Sequence, residues 1–136
     1  MFNLLFGVLL LLRFLRLDLK PVHHDESING WFVEQLWKTG NFHYDPTNYH
    51  GPLLFYMFQA AEALGGWGIA SFRFVTVLFS ALTVLWLFVW TKKRFDLSQW
   101  WLLGLLFSPG YLFFSRSAIH ESVLVFFLVV AACAWV

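Results

Sequence analysis

The sequence predicts an all-α fold, a polytopic bundle of about four transmembrane helices with amphipathic helices lying at the interface in the first external loop. Three observations predict it. The chain is 60% hydrophobic and 21% aromatic. Only 12% of it is charged, where a soluble domain carries about a quarter. The charges are also gathered between apolar runs of a length that spans a bilayer. Net charge is +1, and no basic patch is dense enough to follow a phosphate backbone, so no nucleic-acid partner is expected.

The elements follow in order. Residues 1–12, MFNLLFGVLLLL, are uncharged. They lack a basic n-region and an Ala-x-Ala-like cleavage site, so they read as a retained helix rather than a signal peptide. Arg13 and Arg16 must then snorkel or face protein. Residues 67–90 hold one charge, Arg73, and residues 97–115 hold none. Each is close to the ~20 apolar residues a span needs. Pro109-Gly110 should bend or end the second. Between them TKKRFD, 91–96, reads as a short cytoplasmic loop by the positive-inside rule. Alternation then places the loop 18–66 and the turn 115–121 outside. Arg13, Arg16 and Lys20 at the outer end of the first helix run against that rule.

The last segment, SVLVFFLVVAACAWV, gives a helix of about 22 Å, short of the ~30 Å hydrocarbon core. The chain therefore reads as the N-terminal portion of a larger membrane protein. Cys133 lies in this run and has no intrachain disulfide partner, so it reads as an inert small hydrophobe. In the external loop, Ile28, Trp31, Phe32 and Leu36 recur at helical spacing over 27–39, and Gly40 is a stop signal. Residues 52–64 open on Pro and end at Gly65-Gly66. Thirteen residues are too few to span, so both segments read as interfacial helices.

This loop holds four of the five histidines, His23, His24, His43 and His50, together with Asp25, Glu26, Glu34, Lys38 and Asp45. Asp25 and Glu26 open the first interfacial helix. They either cap it and complement its dipole or supply a general base or metal ligand. His50 either faces solvent or turns back toward Asp25. Arg116, His120 and Glu121 sit where the third and fourth spans meet the outer surface. They form either a solvated turn or a functional group at membrane depth. His120-Glu121 has Leu124 where a zinc-protease motif needs a second histidine. No Gly-rich phosphate loop, Gly-x-Ser-x-Gly or Cys-x-x-Cys is present. What remains is two acidic clusters, Asp25-Glu26 and Glu121, that separate spans carry to the same face.

Five stretches in this order resemble the N-terminal part of the C-type (GT-C) membrane glycosyltransferases. The families meant are the dolichyl-phosphate-mannose–protein mannosyltransferase-like and aminoarabinose–lipid A transferase-like ones. The stretches are HHDES (23–27), WKTGNF (37–42), YHGPLLFY (49–56), SFRFVTVLFSALTVLWLF (71–88) and SPGYLFFSRSAIHESVLVFF (108–127). The resemblance implies a multi-pass plasma-membrane enzyme whose active site is on the non-cytoplasmic side. It implies transfer of a sugar from a polyprenyl-phosphate donor to a lipid, glycan or protein acceptor. Asp25 matches the catalytic acid of the first loop, and Glu26 stands beside it. Glu121 matches a second acidic position that shapes the site or holds a divalent cation in some relatives. Relatives often carry Asp at that second position, and some carry an acid where His50 stands.

The residues support this chemistry on their own terms. A carboxylate can take the proton of an attacking acceptor hydroxyl. A departing phosphate needs charge stabilisation from Arg, His or a metal rather than an acid. Arg116 and Lys20 are the cationic candidates for binding substrate, with His24, His50 and Glu121 beside them. Glu121, His50 and His120 are the candidates for a divalent metal ion. Two rival readings stay open: a non-catalytic scaffold or transporter module, and an integral-membrane zinc hydrolase.

Overall fold

A computed structural model describes residues 2–66, 68–95 and 99–135. Every regular element among them is helical. In order these are α1 (Phe2–Leu12), α2 (His24–Thr39), α3 (Leu53–Gly65), α4 (Ile69–Phe95), α5 (Trp101–Phe107), α6 (Pro109–Ser115) and α7 (Glu121–Trp135). Among the described residues one helix, α4, is long and apolar enough to cross a membrane. Its 27 residues rise about 40 Å.

The sequence placed Lys92, Lys93 and Arg94 in a loop, but they form the last turn of α4. Cations at a helix C-terminus complement the partial negative charge there, which favours extending the helix through them. The start expected at Trp67 and the beginning of the 97–115 run lie outside the described residues. The rest of that run is two short helices rather than one. Ser108 takes φ −58° and ψ 121°, out of the helical region, as a residue before proline prefers. Its hydroxyl then caps the new helix by accepting from the Tyr111 amide, and Pro109 opens it.

Helix α2 begins three residues earlier than its apolar pattern indicated. His23 is its N-cap: the His23 Nδ1 accepts from the Asp25 amide at 3.3 Å. Glu26 reaches back, its Oε2 accepting from the His23 amide at 2.8 Å. Of the two acids, Glu26 is therefore the one that caps, in a box with histidine in the usual Ser/Thr place. Gly40 ends the helix in the left-handed region, φ 76°, where a side chain would be strained. The buried face of α2 is Glu26, Asn29, Phe32, Val33 and Leu36. Trp31 and Trp37 are exposed. The face is thus rotated from the predicted one, and its polar members are what the apolar pattern missed.

Two apolar clusters build the molecule. The upper one joins Phe32, Val33 and Leu36 of α2 to Leu54, Phe55 and Phe58 of α3, Phe72 and Val75 of α4, and Ala118 and Val123. Phe55, Phe58 and Val33 are fully buried, each worth about 1.5–3 kcal/mol relative to exposure to water. The lower cluster joins Phe6 and Leu10 of α1 to Ala81 and Val84 of α4 and Leu102 and Leu106 of α5. Helix α4 runs through both and packs along α3 and α7. Arg13 faces protein: it is buried, donates to Ser115 Oγ and lies over the Tyr111 ring. Arg16 is exposed, 3.8 Å from Asp18.

Candidate functional site

The polar site is built where the start of α2 meets the turn before α7. Arg73 stands in the apolar body of α4 with no exposed surface. A buried guanidinium needs a counter-charge and acceptors for its donors. Both are supplied by the segment leading into α2. Arg73 grips Glu26 through Nε–Oε1 at 2.8 Å and Nη2–Oε2 at 2.7 Å. It also donates to the carbonyls of Leu17, Lys20 and Pro21 at 2.7, 2.8 and 3.1 Å.

Glu26 in turn accepts from the Ala118 amide at 2.7 Å and the His23 amide at 2.8 Å. Each carboxylate oxygen thus holds two donors, which saturates its lone pairs. Burial alone would raise this carboxyl. The hydrogen bonds from Arg73, His23 and Ala118 outweigh it and hold Glu26 below the usual range. Asn29 adds a further tie, Nδ2 to the Ala118 carbonyl at 2.9 Å. Three distant pieces of chain are joined here: the α1–α2 connection, α4 and the 116–120 turn.

That knot fixes a neighbouring cavity of about 170 Å³. Asp25 and Glu121 both line it, and so do Asn29, Asn48, His50 and His120. The His50 and His120 rings are 4.3 Å apart between centroids. His50 is delivered by a tight turn. Asp45 Oδ1 accepts from the Thr47 amide and hydroxyl at 2.8 and 2.7 Å, and Tyr49 takes φ 54°, a conformation uncommon outside glycine. Burial lowers the His50 imidazole below its ordinary value, with His120 adding to the effect and Glu121 and Asp25 opposing it.

The structure places the remaining candidates elsewhere. Glu26 is sealed in the knot and presents no free lone pair. His24 is exposed and does not line the cavity. Lys20 donates to Ser117 Oγ and sits 3.6 Å over the Phe113 ring. Burial and the nearby Arg73 and Arg116 lower its ammonium, against an opposing pull from Glu26. Arg116 reaches the cavity only if the turn before α7 is helical. It is not helical, and Arg116 donates instead to the Leu15 and Arg16 carbonyls at 2.7 and 3.0 Å. Helix α3 contributes nothing to the lining. Asn29, Asn48 and the Glu26–Arg73 pair are the site's unanticipated members. The signal for the pair was present, since a lone arginine in an apolar run requires an acid.

Among the described residues no three His, Cys, Asp or Glu side chains converge closely enough to hold one metal ion. No family model, curated protein or solved structure matches the chain.

Proposed function

We propose that the chain belongs to an integral-membrane glycosyltransferase of the polyprenyl-phosphate-dependent kind, with Asp25 as general base on the non-cytoplasmic side. In this reading α1, α4, the α5–α6 pair and α7 cross the membrane, and Lys92, Lys93 and Arg94 mark the cytoplasmic face. The observation that carries it is the convergence of Asp25 and Glu121 on one cavity. Caps alone require no such meeting of the start of α2 with the start of α7.

Asp25 takes the proton of the acceptor hydroxyl as its oxygen bonds to the anomeric carbon. The bond from that carbon to the donor phosphate breaks, and polyprenyl phosphate leaves with the electron pair. In this reading His50 and His120 donate to the departing phosphate, in place of Arg116 and Lys20. Glu121 orients the histidines and the incoming hydroxyl. Glu26 and Arg73 hold Asp25 in place without touching substrate.

The test is Asp25→Asn. The amide keeps the size and hydrogen-bonding capacity of the side chain but cannot take a proton. Sugar transfer should fall by about 10²–10⁴-fold, the usual contribution of general base catalysis, with membrane insertion unchanged. Transfer within a few-fold of the unmodified protein sinks the assignment.

A further inference from the structure

The cavity at Asp25 is one end of a longer depression. It shares Ile28 and Asn48 with a second hollow of about 290 Å³, which shares Trp31, Phe32 and Asp45 with a third of about 390 Å³. Together they form a trough beside α2, walled by the loop 41–50. From Asp25 to Thr39 the helix rises about 21 Å, room for several rings in a row.

The lining is unlike that of a lipid groove. Trp31 and Tyr44 are half or more exposed, at 52% and 61%, and Trp31 is braced edge-to-face against Phe32, their centroids 4.9 Å apart. The hollows are also lined by Gln35, Thr39, Asn41, Asp45 and Asn48, side chains that both donate and accept or accept strongly. Neither of the two hollows beyond the Asp25 cavity is lined by Lys or Arg, which disfavours phosphate or uronate ligands along them. Among the described residues, Asn48 Nδ2 and His50 Nδ1 are buried with no hydrogen-bond partner. Buried polar atoms are nearly always paired, so a hydroxyl-bearing ligand that reached them would complete the site. The loop is also pre-shaped: the Asn41 carbonyl accepts from Thr39 Oγ1 at 2.8 Å, and the Phe42 amide donates to Tyr56 Oη at 3.2 Å.

We propose that this trough binds a neutral oligosaccharide, with sugar rings lying on Trp31 and Tyr44 and one end at Asp25. Aromatic faces suit the apolar C–H side of a pyranose, and amide and carboxylate edges suit its hydroxyls. The proposal rests on the transferase reading only in calling that end the reacting one: the acceptor is then a glycan rather than a peptide or a lipid headgroup.

The experiment titrates the full chain in detergent micelles with manno-, malto- and arabino-oligosaccharides, from monosaccharide to pentasaccharide. Tryptophan fluorescence and calorimetry report binding. At least one series should bind with affinity rising with length. Trp31→Ala and Tyr44→Ala, both at exposed positions, should each weaken the longest ligand by about tenfold, while Lys38→Ala, on the same helix but outside the trough, leaves its binding intact. Absence of binding in all three series, length-independent affinity, or unchanged binding by both aromatic variants overturns the proposal. So does competition at the trough by a serine-containing peptide but not by the sugars. Glycan binding without any sugar transfer by the complete protein leaves the trough assignment standing and removes the transferase reading. Transfer to a non-glycan acceptor with no glycan binding does the reverse.

Discussion

Asp25 and Glu26 are adjacent in the chain, carry the same functional group and occupy opposite environments. Glu26 is 1% exposed and holds four donors from three separate segments. Asp25 is exposed, lines a cavity and has His23 Nδ1 at 3.4 Å as its near neighbour. One helical step of about 100° separates them, enough to turn one into the protein and the other out of it. A carboxylate that does chemistry needs free lone pairs and access, and only Asp25 has them. Glu26 shows what the neighbour requires: a fixed frame, supplied by an ion pair that anchors the start of α2 to α4.

The largest effect should come from opening that frame. Glu26→Gln removes the counter-charge of a fully buried arginine and turns an amide N–H₂ toward groups that are themselves donors. Breaking one partner of a buried pair costs about 3–5 kcal/mol. The thermal unfolding midpoint in detergent should drop sharply, whereas Asp25→Asn should shift stability by no more than about 0.5 kcal/mol, as exposed sites do. Adding Arg73→Met to Glu26→Gln should recover part of the loss but not all of it. Arg73 also satisfies the carbonyls of Leu17, Lys20 and Pro21, which methionine leaves unpaired. Equal destabilisation by Asp25→Asn and Glu26→Gln would erase the distinction between the two residues.

This pair also marks where the sequence was legible and where it was not. The 3.6-residue pattern located α2, and Pro52 with Gly65-Gly66 bounded α3, each to within a few residues, because apolar spacing, a Pro start and a Gly stop are local signals. The gathering of acids and histidines announced a polar site. The roles within it were not readable, because Asp25 and Glu26 differ only in which way the helix turns them. That is set by an arginine 47 positions downstream of Glu26. The same holds for Arg116, whose direction depended on whether the 116–120 turn was helical. A one-dimensional pattern carries no rotation angle for an element whose buried face is itself polar, and α2 buries Glu26 and Asn29. The break at Ser108 was readable from proline chemistry. The run of α4 through its basic end was not, since loop and last turn share the same composition.

A pH titration separates the two regions. His50 is lowered by burial and by His120, so its neutral form is favoured in the folded protein. Below its ordinary value of 6.5 the unfolded chain takes up the proton first. Stability from this group is complete above that pH and is lost as pH falls toward the depressed folded value. Glu26 is also lowered, but as a carboxylate its contribution persists until pH falls below the ordinary carboxyl range, about 4.3. Between about pH 5 and 6.5 only the cavity should weaken. The unfolding midpoint should decline over that interval in the unmodified protein, and His50→Asn should flatten the slope. Asp25→Asn and Glu121→Gln should steepen it, since both carboxylates favour the charged imidazole. A slope unaffected by His50→Asn would assign the titration elsewhere.

The smallest effect contrasts the buried pair with an exposed one on the same helix. Lys38 Nζ lies 2.6 Å from Glu34 Oε1, an i,i+4 arrangement with both side chains more than half exposed. The distance matches that of Glu26 and Arg73, yet the energy should not. Water screens the exposed charges, and two flexible side chains lose rotamer freedom to meet. The order, acid before base, and the position of Lys38 in the last turn both favour the pair. Their sum is still about 0.3–0.5 kcal/mol. Lys38→Ala should therefore lower the unfolding midpoint barely beyond error, and high salt should abolish even that difference. Glu26→Gln should keep nearly all of its cost in the same salt, because the ions have no access to a pair with almost no exposed surface. A large, salt-resistant loss from Lys38→Ala would mean that distance alone sets the strength of ion pairs in this protein, and the case for treating Glu26 and Asp25 as different in kind would go with it.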